Sequence, residues 1–215
     1  MTMATMNLET APPKRTVERV RDLRDLACIF EPHVNVALLA RSLPPELAPD
    51  VAVFVGTRAP NIVQTVAANE ASSEWLSTEL SEMGELRADA ARWIEVMADL
   101  TGASRIGVRL TRADTAMCPR FHVDFVGLRL VTTYSGPGTE FLDGAEVLRQ
   151  ESPRPGGAPN LEVRSRDAIQ AAGVGDVVLL KGEGWPGNEG RGAVHRSPFT
   201  TASHPRLLLT LDALS

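Results

Sequence analysis
The hydrophobic pattern of this chain changes period near residue 103, and that switch limits the folds open to it. Upstream the spacing is helical. Val17, Val20, Leu23, Leu26 and Ala27 follow one face and predict a helix over 16–30. Ser72 or Ser73 is placed to cap a helix starting near Glu74. Its apolar face runs through Trp75, Leu76, Leu80, Met83 and Leu86, then Ala90, Trp93, Ile94, Met97 and Leu100, to a stop at Gly102, with a break at Gly84. The Trp and Met side chains of that stripe read as core. Pro44-Pro45 and Pro60 break the chain around 51–55, whose β-branched run predicts a short strand.

Downstream the period becomes two. Residues 105–112 alternate at Ile106, Val108 and Leu110. Residues 121–134 hold one or two strands interrupted by Gly127, and Gly136-Pro137-Gly138 is a turn. Val177–Leu180 and Leu207–Leu211 are near-continuous apolar runs, as in strands buried on both faces. Residues 154–159 and the glycine-rich 182–192 are loops. Short strands joined by Gly/Pro turns favour a jelly roll or cupin-like barrel, an α+β protein with its N-terminal helices packed outside. The expected organisation is a loose tail over 1–14, a helical part over 15–102 and a β-rich core over 103–215, the last two forming one compact domain.

At 215 residues the chain suits one large domain that needs no covalent staples. Cys28 and Cys118 are its only cysteines and make no disulfide framework, which favours a reducing compartment. No apolar run reaches membrane-spanning length, and residues 1–14 lack the basic and apolar regions of a leader. A cytoplasmic location and no membrane partner are expected. The net charge of −5 argues against broad binding to a phosphate backbone, so no nucleic-acid partner is expected. Oligomeric state leaves no mark in the sequence.

The chain holds four His, and two of them fall into one pattern with an Asp. His122 and Asp124 are two apart in a β segment, so both side chains point the same way. His195 follows the glycine-rich loop and, on a strand, brings a third donor across the barrel mouth. Two imidazoles and one carboxylate form a 2-His-1-carboxylate set, which suits Fe(II), Mn or Zn and leaves open positions for chemistry. Cys118 offers a softer alternative ligand, or packs as a small hydrophobe. His33 reads as structural and His204 as a loop residue. Arg206 opens the last strand, where a fixed guanidinium either grips an anionic ligand or pairs with an acid. Arg129 and Glu140 read as an interior ion pair or as substrate contacts. The 182–192 loop lacks a phosphate-loop ending and reads as a lid, with Trp185, Asn188 and Glu189 towards substrate. No Gly-x-Ser-x-Gly or His-Glu-x-x-His motif occurs.

Phe121-His122-Val123-Asp124, the following Arg129-Leu130-Val131-Thr132-Thr133-Tyr134, and His195 with Arg206 resemble the core of the Fe(II)/2-oxoglutarate-dependent dioxygenases, the prolyl hydroxylase branch especially. The resemblance implies a double-stranded β-helix and a non-haem oxygenase that hydroxylates an unidentified small-molecule or protein side-chain substrate. It implies His122, Asp124 and His195 as iron ligands, Arg206 as the clamp on the 2-oxoglutarate distal carboxylate, and Tyr134 as a candidate second donor to it. Ser197 stands where many dioxygenases have Gly, and Leu207-Leu208 after Arg206 lacks the Arg-x-Ser of several subfamilies, which bears on the cosubstrate more than on the metal. Over most of 100–215 the chain also resembles an uncharacterised bacterial family, through Tyr134–Glu140 and Leu180–Asn188. Two other readings stay open: a cupin-like Zn or Mn metalloprotein without redox chemistry, and a metal-free ligand-binding β domain.

Overall fold
The structure is a computed structural model and describes residues 16–57, 61–68, 80–150 and 160–214. In chain order the elements are β1 (Val17–Val20), a 3-10 helix (Leu23–Phe30), β2 (Val36–Leu39), α1 (Leu47–Thr57), β3 (Ile62–Ala67), α2 (Gly84–Thr101), β4 (Arg105–Ala113), β5 (Leu128–Ser135), β6 (Glu140–Phe141), β7 (Val147–Gln150), β8 (Asn160–Val163), β9 (Gln170–Ala171), β10 (Val177–Lys181), β11 (His195–Arg196) and β12 (Arg206–Leu214). Seven strands form one sheet in the order β1-β2-β10-β5-β12-β4-β3, antiparallel except for the β1/β2 pair. A small sheet has the order β11-β6-β9, and β7 pairs with β8 as a hairpin.

The large sheet is buried on both faces, which explains its continuous apolar runs. Ala37, Leu39, Leu130, Val177, Leu179, Leu207, Leu209 and Leu211 point to one side, where they pack with Phe54 of α1 and Trp93, Ile94 and Met97 of α2. Their neighbours Val36, Leu38, Val131, Val178, Leu180 and Leu208 point to the other side and pack with Phe141 and Ala193 at the small sheet. Successive strand side chains alternate between faces, so one strand serves two cores. The helices therefore lie on the outer face and the small sheet on the inner one.

Local chemistry sets the element ends. Asp50 of α1 accepts from the Glu85 and Leu86 amides at 2.9 and 3.0 Å, satisfying orphan donors at the start of α2. Gly102 ends that helix in the left-handed region at φ 67°, as expected for a C-terminal glycine. A helix boundary falls where the break near Gly84 is expected, Gly84 being the first residue of α2. The Ser72/Ser73 cap, Trp75 and Leu76, the loop at 154–159 and the tail at 1–14 lie outside the described residues.

Two expectations are corrected. The helix expected over 16–30 is strand β1 followed by a 3-10 helix, because Val17–Val20 pairs in parallel with β2. Asp22 then accepts from the Arg24 amide and starts the tight turn. The strand expected over 51–55 is part of α1, whose Leu47, Val51 and Phe54 are buried at helical spacing. Tertiary burial overrides β propensity there. No helix among the described residues is long and apolar enough to cross a membrane.

Candidate metal centre
His122 and His195 are brought together by the small sheet. They sit opposite each other and exchange both backbone hydrogen bonds, each 3.0 Å. Their rings lie 4.5 Å apart between centroids. Asp124 points the same way as His122: its carboxylate is 3.6 Å from His122 Nε2 and 3.1 Å from His195 Nε2. One donor atom from each of the three residues lies within 4.8 Å of the others.

The backbone orients both rings. His122 Nδ1 is 3.0 Å from the Arg120 carbonyl and His195 Nδ1 is 3.0 Å from the Ala193 carbonyl. A carbonyl only accepts, so each Nδ1 carries a proton and each ring turns its Nε2 towards the site. Burial, then the nearby His195, pushes the His122 imidazole below its ordinary value, so it is a neutral donor at neutral pH. Burial alone would raise the Asp124 carboxyl. The hydrogen bond to His195 and the charges of His195, Arg129 and His122 override it and hold the group at about 2. Two imidazoles and an ionised carboxylate converging on one point fit a divalent cation.

The Asp124 segment is braced by the 182–192 loop. The Glu183 amide donates to the Asp124 carbonyl at 2.9 Å, and the Gly182 and Gly184 amides donate to Gly127 and Val126. A Cβ on Gly182 would meet the Val126 carbonyl oxygen at 2.1 Å, so only glycine allows this approach. The loop is thus not the lid expected from its composition, since none of its residues lines the cavity at the centre. Trp185 packs on the helix-side core and against Phe30, and buried Asn188 donates to the Gly182 carbonyl.

That cavity measures about 390 Å³ and is lined by His122, His195, Arg129, Arg206, Val131 and Leu208 among others. Arg206 is buried at the start of β12, and its Nη2 donates to the Thr133 and Thr139 hydroxyls at 3.1 and 2.6 Å. Its Nε has no hydrogen-bond partner and no carboxylate pairs with it among the described residues. Burial pushes its pKa down to about 10. The turn that delivers Thr139 depends on Gly136, at φ 78°, and a Cβ there would lie 2.9 Å from the Arg206 backbone.

The structure brings His122, His195 and Arg206 to one cavity, sets Asp124 beside the two His, and sends Tyr134 elsewhere. Tyr134 lies in the helix-side core, where its hydroxyl donates to Asp89 of α2 at 2.9 Å. Asp89 also accepts from Arg41 at 2.6 Å and Trp93 Nε1 at 3.1 Å, so the tyrosine completes a buried polar cluster on the far side of the sheet. Cys118 lines the cavity but is exposed and is not one of the three clustered donors. Glu140 pairs with Arg196 at 2.5 Å, not with Arg129. Arg129 instead grips Asp212 at 2.7 Å and also bonds Asp124. The sequence reading missed Asp212. Its signal was an acid in the apolar run of β12, opposite an Arg in the apolar run of β5.

A family model described as "Protein of unknown function (DUF1826)" matches residues 20–212. No curated protein matches the chain. Among solved structures, a dioxygenase for auxin oxidation from Arabidopsis thaliana in complex with 2-oxoglutarate is similar at 9% identity and a TM-score of 0.50, covering 93% of this chain and 92% of its own. The rice auxin-oxidation dioxygenase is similar at 14% identity and 0.48, over 94% and 83% of the two chains. A Pseudomonas putida prolyl-4-hydroxylase is similar at 12% and 0.47, over 91% and 96%. At 9% identity the likeness to the Arabidopsis enzyme is one of fold.

Proposed function
We propose that this chain, which belongs to the DUF1826 family, is a non-haem Fe(II)- and 2-oxoglutarate-dependent oxygenase built on a double-stranded β-helix. Its substrate is a small molecule or a protein side chain that it hydroxylates. The observation that carries the reading is Arg206: a buried guanidinium without an acid among the described residues, in a cavity lined by the two His of a His-Asp-His donor set. A buried charge is strongly disfavoured unless paired, so the cavity calls for an anion. The fold shared with the Arabidopsis dioxygenase supports the same reading.

His122, Asp124 and His195 would hold the metal. Fe(II), when bound there, supplies the oxidising chemistry in which dioxygen is consumed and 2-oxoglutarate is decarboxylated to succinate. Arg206 takes the distal carboxylate of the cosubstrate and fixes its orientation, with Thr133 and Thr139 holding the guanidinium in place. Val131 and Leu208 give the cavity an apolar floor that keeps water from the bound keto acid.

The test is an anaerobic titration with Fe(II) and 2-oxoglutarate, read as the visible metal-to-ligand charge-transfer band. The band is expected only with both present, and is expected to vanish in His122→Ala and Asp124→Ala proteins that stay folded. If no band forms and the protein instead retains Zn or Mn, the centre is that of a non-redox metalloprotein. If it binds no metal at all, the oxygenase reading fails.

A further inference from the structure
The carboxylate of Asp124 is tied from behind by a fork that no metal ligand or cosubstrate contact requires. Arg129 on β5 and Asp212 on β12 are register partners in the large sheet. Arg129 Nε donates to Asp212 Oδ1 at 2.7 Å and Nη2 to Asp212 Oδ2 at 3.0 Å. The remaining terminal nitrogen, Nη1, donates to Asp124 Oδ2. Arg109 on β4 closes the other side of Asp212 with a contact of 2.7 Å. Arg129 and Asp212 are 16% and 13% exposed, so the arrangement is screened from water and its geometry is held by two strands.

A guanidinium is planar and its donors are fixed relative to one another. Two bonds to Asp212 therefore set the plane of Arg129, and the plane sets where Nη1 points. Oδ2 of Asp124 takes that donor and also lies 3.1 Å from His195 Nε2, while Oδ1 faces His122 Nε2 at 3.6 Å with no Arg129 donor on it. We propose that Arg129, anchored by Asp212, is a positioning residue that restricts Asp124 to offering one oxygen to the metal. A carboxylate free to turn would offer both oxygens and take a coordination position that a chelating keto acid needs. Arg129 thus acts on the number of open positions, and Asp212 acts through it. The inference rests on the metal reading above.

Cobalt(II) tests it without turnover, because its visible absorption weakens as ligand number rises. Co(II) is titrated into metal-free wild-type, Arg129→Met and Arg129→Lys proteins, followed by 2-oxoglutarate. Arg129→Met is expected to bind Co(II) at least as tightly as wild type, since a cation beside the site is gone. Its absorption is expected to be weaker, and its 2-oxoglutarate affinity lower by about tenfold or more. Arg129→Lys keeps a charge and loses the fork, so it guards against a folding defect in the first variant and should shift in the same direction. Arg206→Met separates the two roles: it should lose 2-oxoglutarate affinity with an unaltered cobalt spectrum. Unchanged spectra and affinities in both Arg129 variants overturn the proposal. So does a loss of Co(II) that merely follows a loss of thermal stability. Failure of the wild-type protein to bind Co(II) overturns the metal reading itself.

Discussion

Arg206 sets stability against ligand binding within one residue. Its guanidinium is buried, bonded among the described residues only to two threonine hydroxyls, and shifted down to about 10 by burial. Removing an uncompensated buried charge relieves desolvation, so ligand-free Arg206→Met is expected to resist urea at least as well as wild type. The same change should weaken 2-oxoglutarate binding by about 2–5 kcal/mol while sparing the metal, measured by calorimetry on the Mn(II) form. A variant that loses stability and keeps its affinity would remove Arg206 from the clamp role. Asp124 makes a separate, pH-dependent contribution. Its folded pKa of about 2 lies below the ordinary 3.8, so the carboxylate stabilises the fold above pH 3.8 and that stability is lost as pH falls towards 2. The contribution is on the order of 2 kcal/mol. In the metal-free protein, the stability gap between wild type and Asp124→Asn should therefore close between pH 4 and pH 2, followed by urea denaturation at each pH.

At the scale of elements, the strands of the large sheet were legible because their residues alternate or run continuously apolar. β4, β10 and β12 follow the period-two and buried-run patterns of their sequences. The His-x-Asp spacing on an extended segment also told which way two ligands point. The Tyr134 assignment failed on the same rule: it stands five residues after Arg129 on one strand, an odd separation, so the two side chains face opposite sides of the sheet. Parity along β5 is readable in the sequence, whereas the Tyr134 role came from the resemblance alone. The N-terminal 16–30 segment misled because a short strand and a 3-10 helix joined at Asp22 happen to place apolar residues near helical spacing. Only the parallel pairing with β2, a long-range contact, decides between them. The glycine-rich loop misled for a different reason, since glycine content does not reveal whether it serves motion or close approach. Here it serves approach. Gly182→Ala must displace the Val126 carbonyl, which sits next to Asp124. It is expected to cost about 1–3 kcal/mol of stability and to weaken Co(II) binding, whereas the exposed Gly187→Ala should leave the metal site unaffected.

Across the whole molecule, the large sheet separates two cores with different duties. The helix-side core, centred on Trp93 and the Asp89–Arg41–Tyr134 cluster, includes none of the metal-centre residues among the described residues. The inner core holds Phe141, which pairs in register with His195, and Leu208, which floors the cavity beside Arg206. The hydrogen-bonded middle strands of the sheet lie between the two faces, so a cavity on one face is expected to leave the other in place while the sheet stays folded. Trp93→Ala and Phe141→Ala each delete a fully buried aromatic ring, and each is expected to cost about 3–5 kcal/mol of stability. Their effects on the centre should diverge. The Trp93 variant, studied well below its melting temperature, should keep wild-type Co(II) affinity, because its cavity lies behind the sheet. The Phe141 variant should lose affinity in the folded state, because its cavity lies beneath the strand that positions His195 opposite His122. Equal losses of affinity in the two variants would mean that the sheet transmits strain and that the centre depends on global stability rather than on the inner core alone.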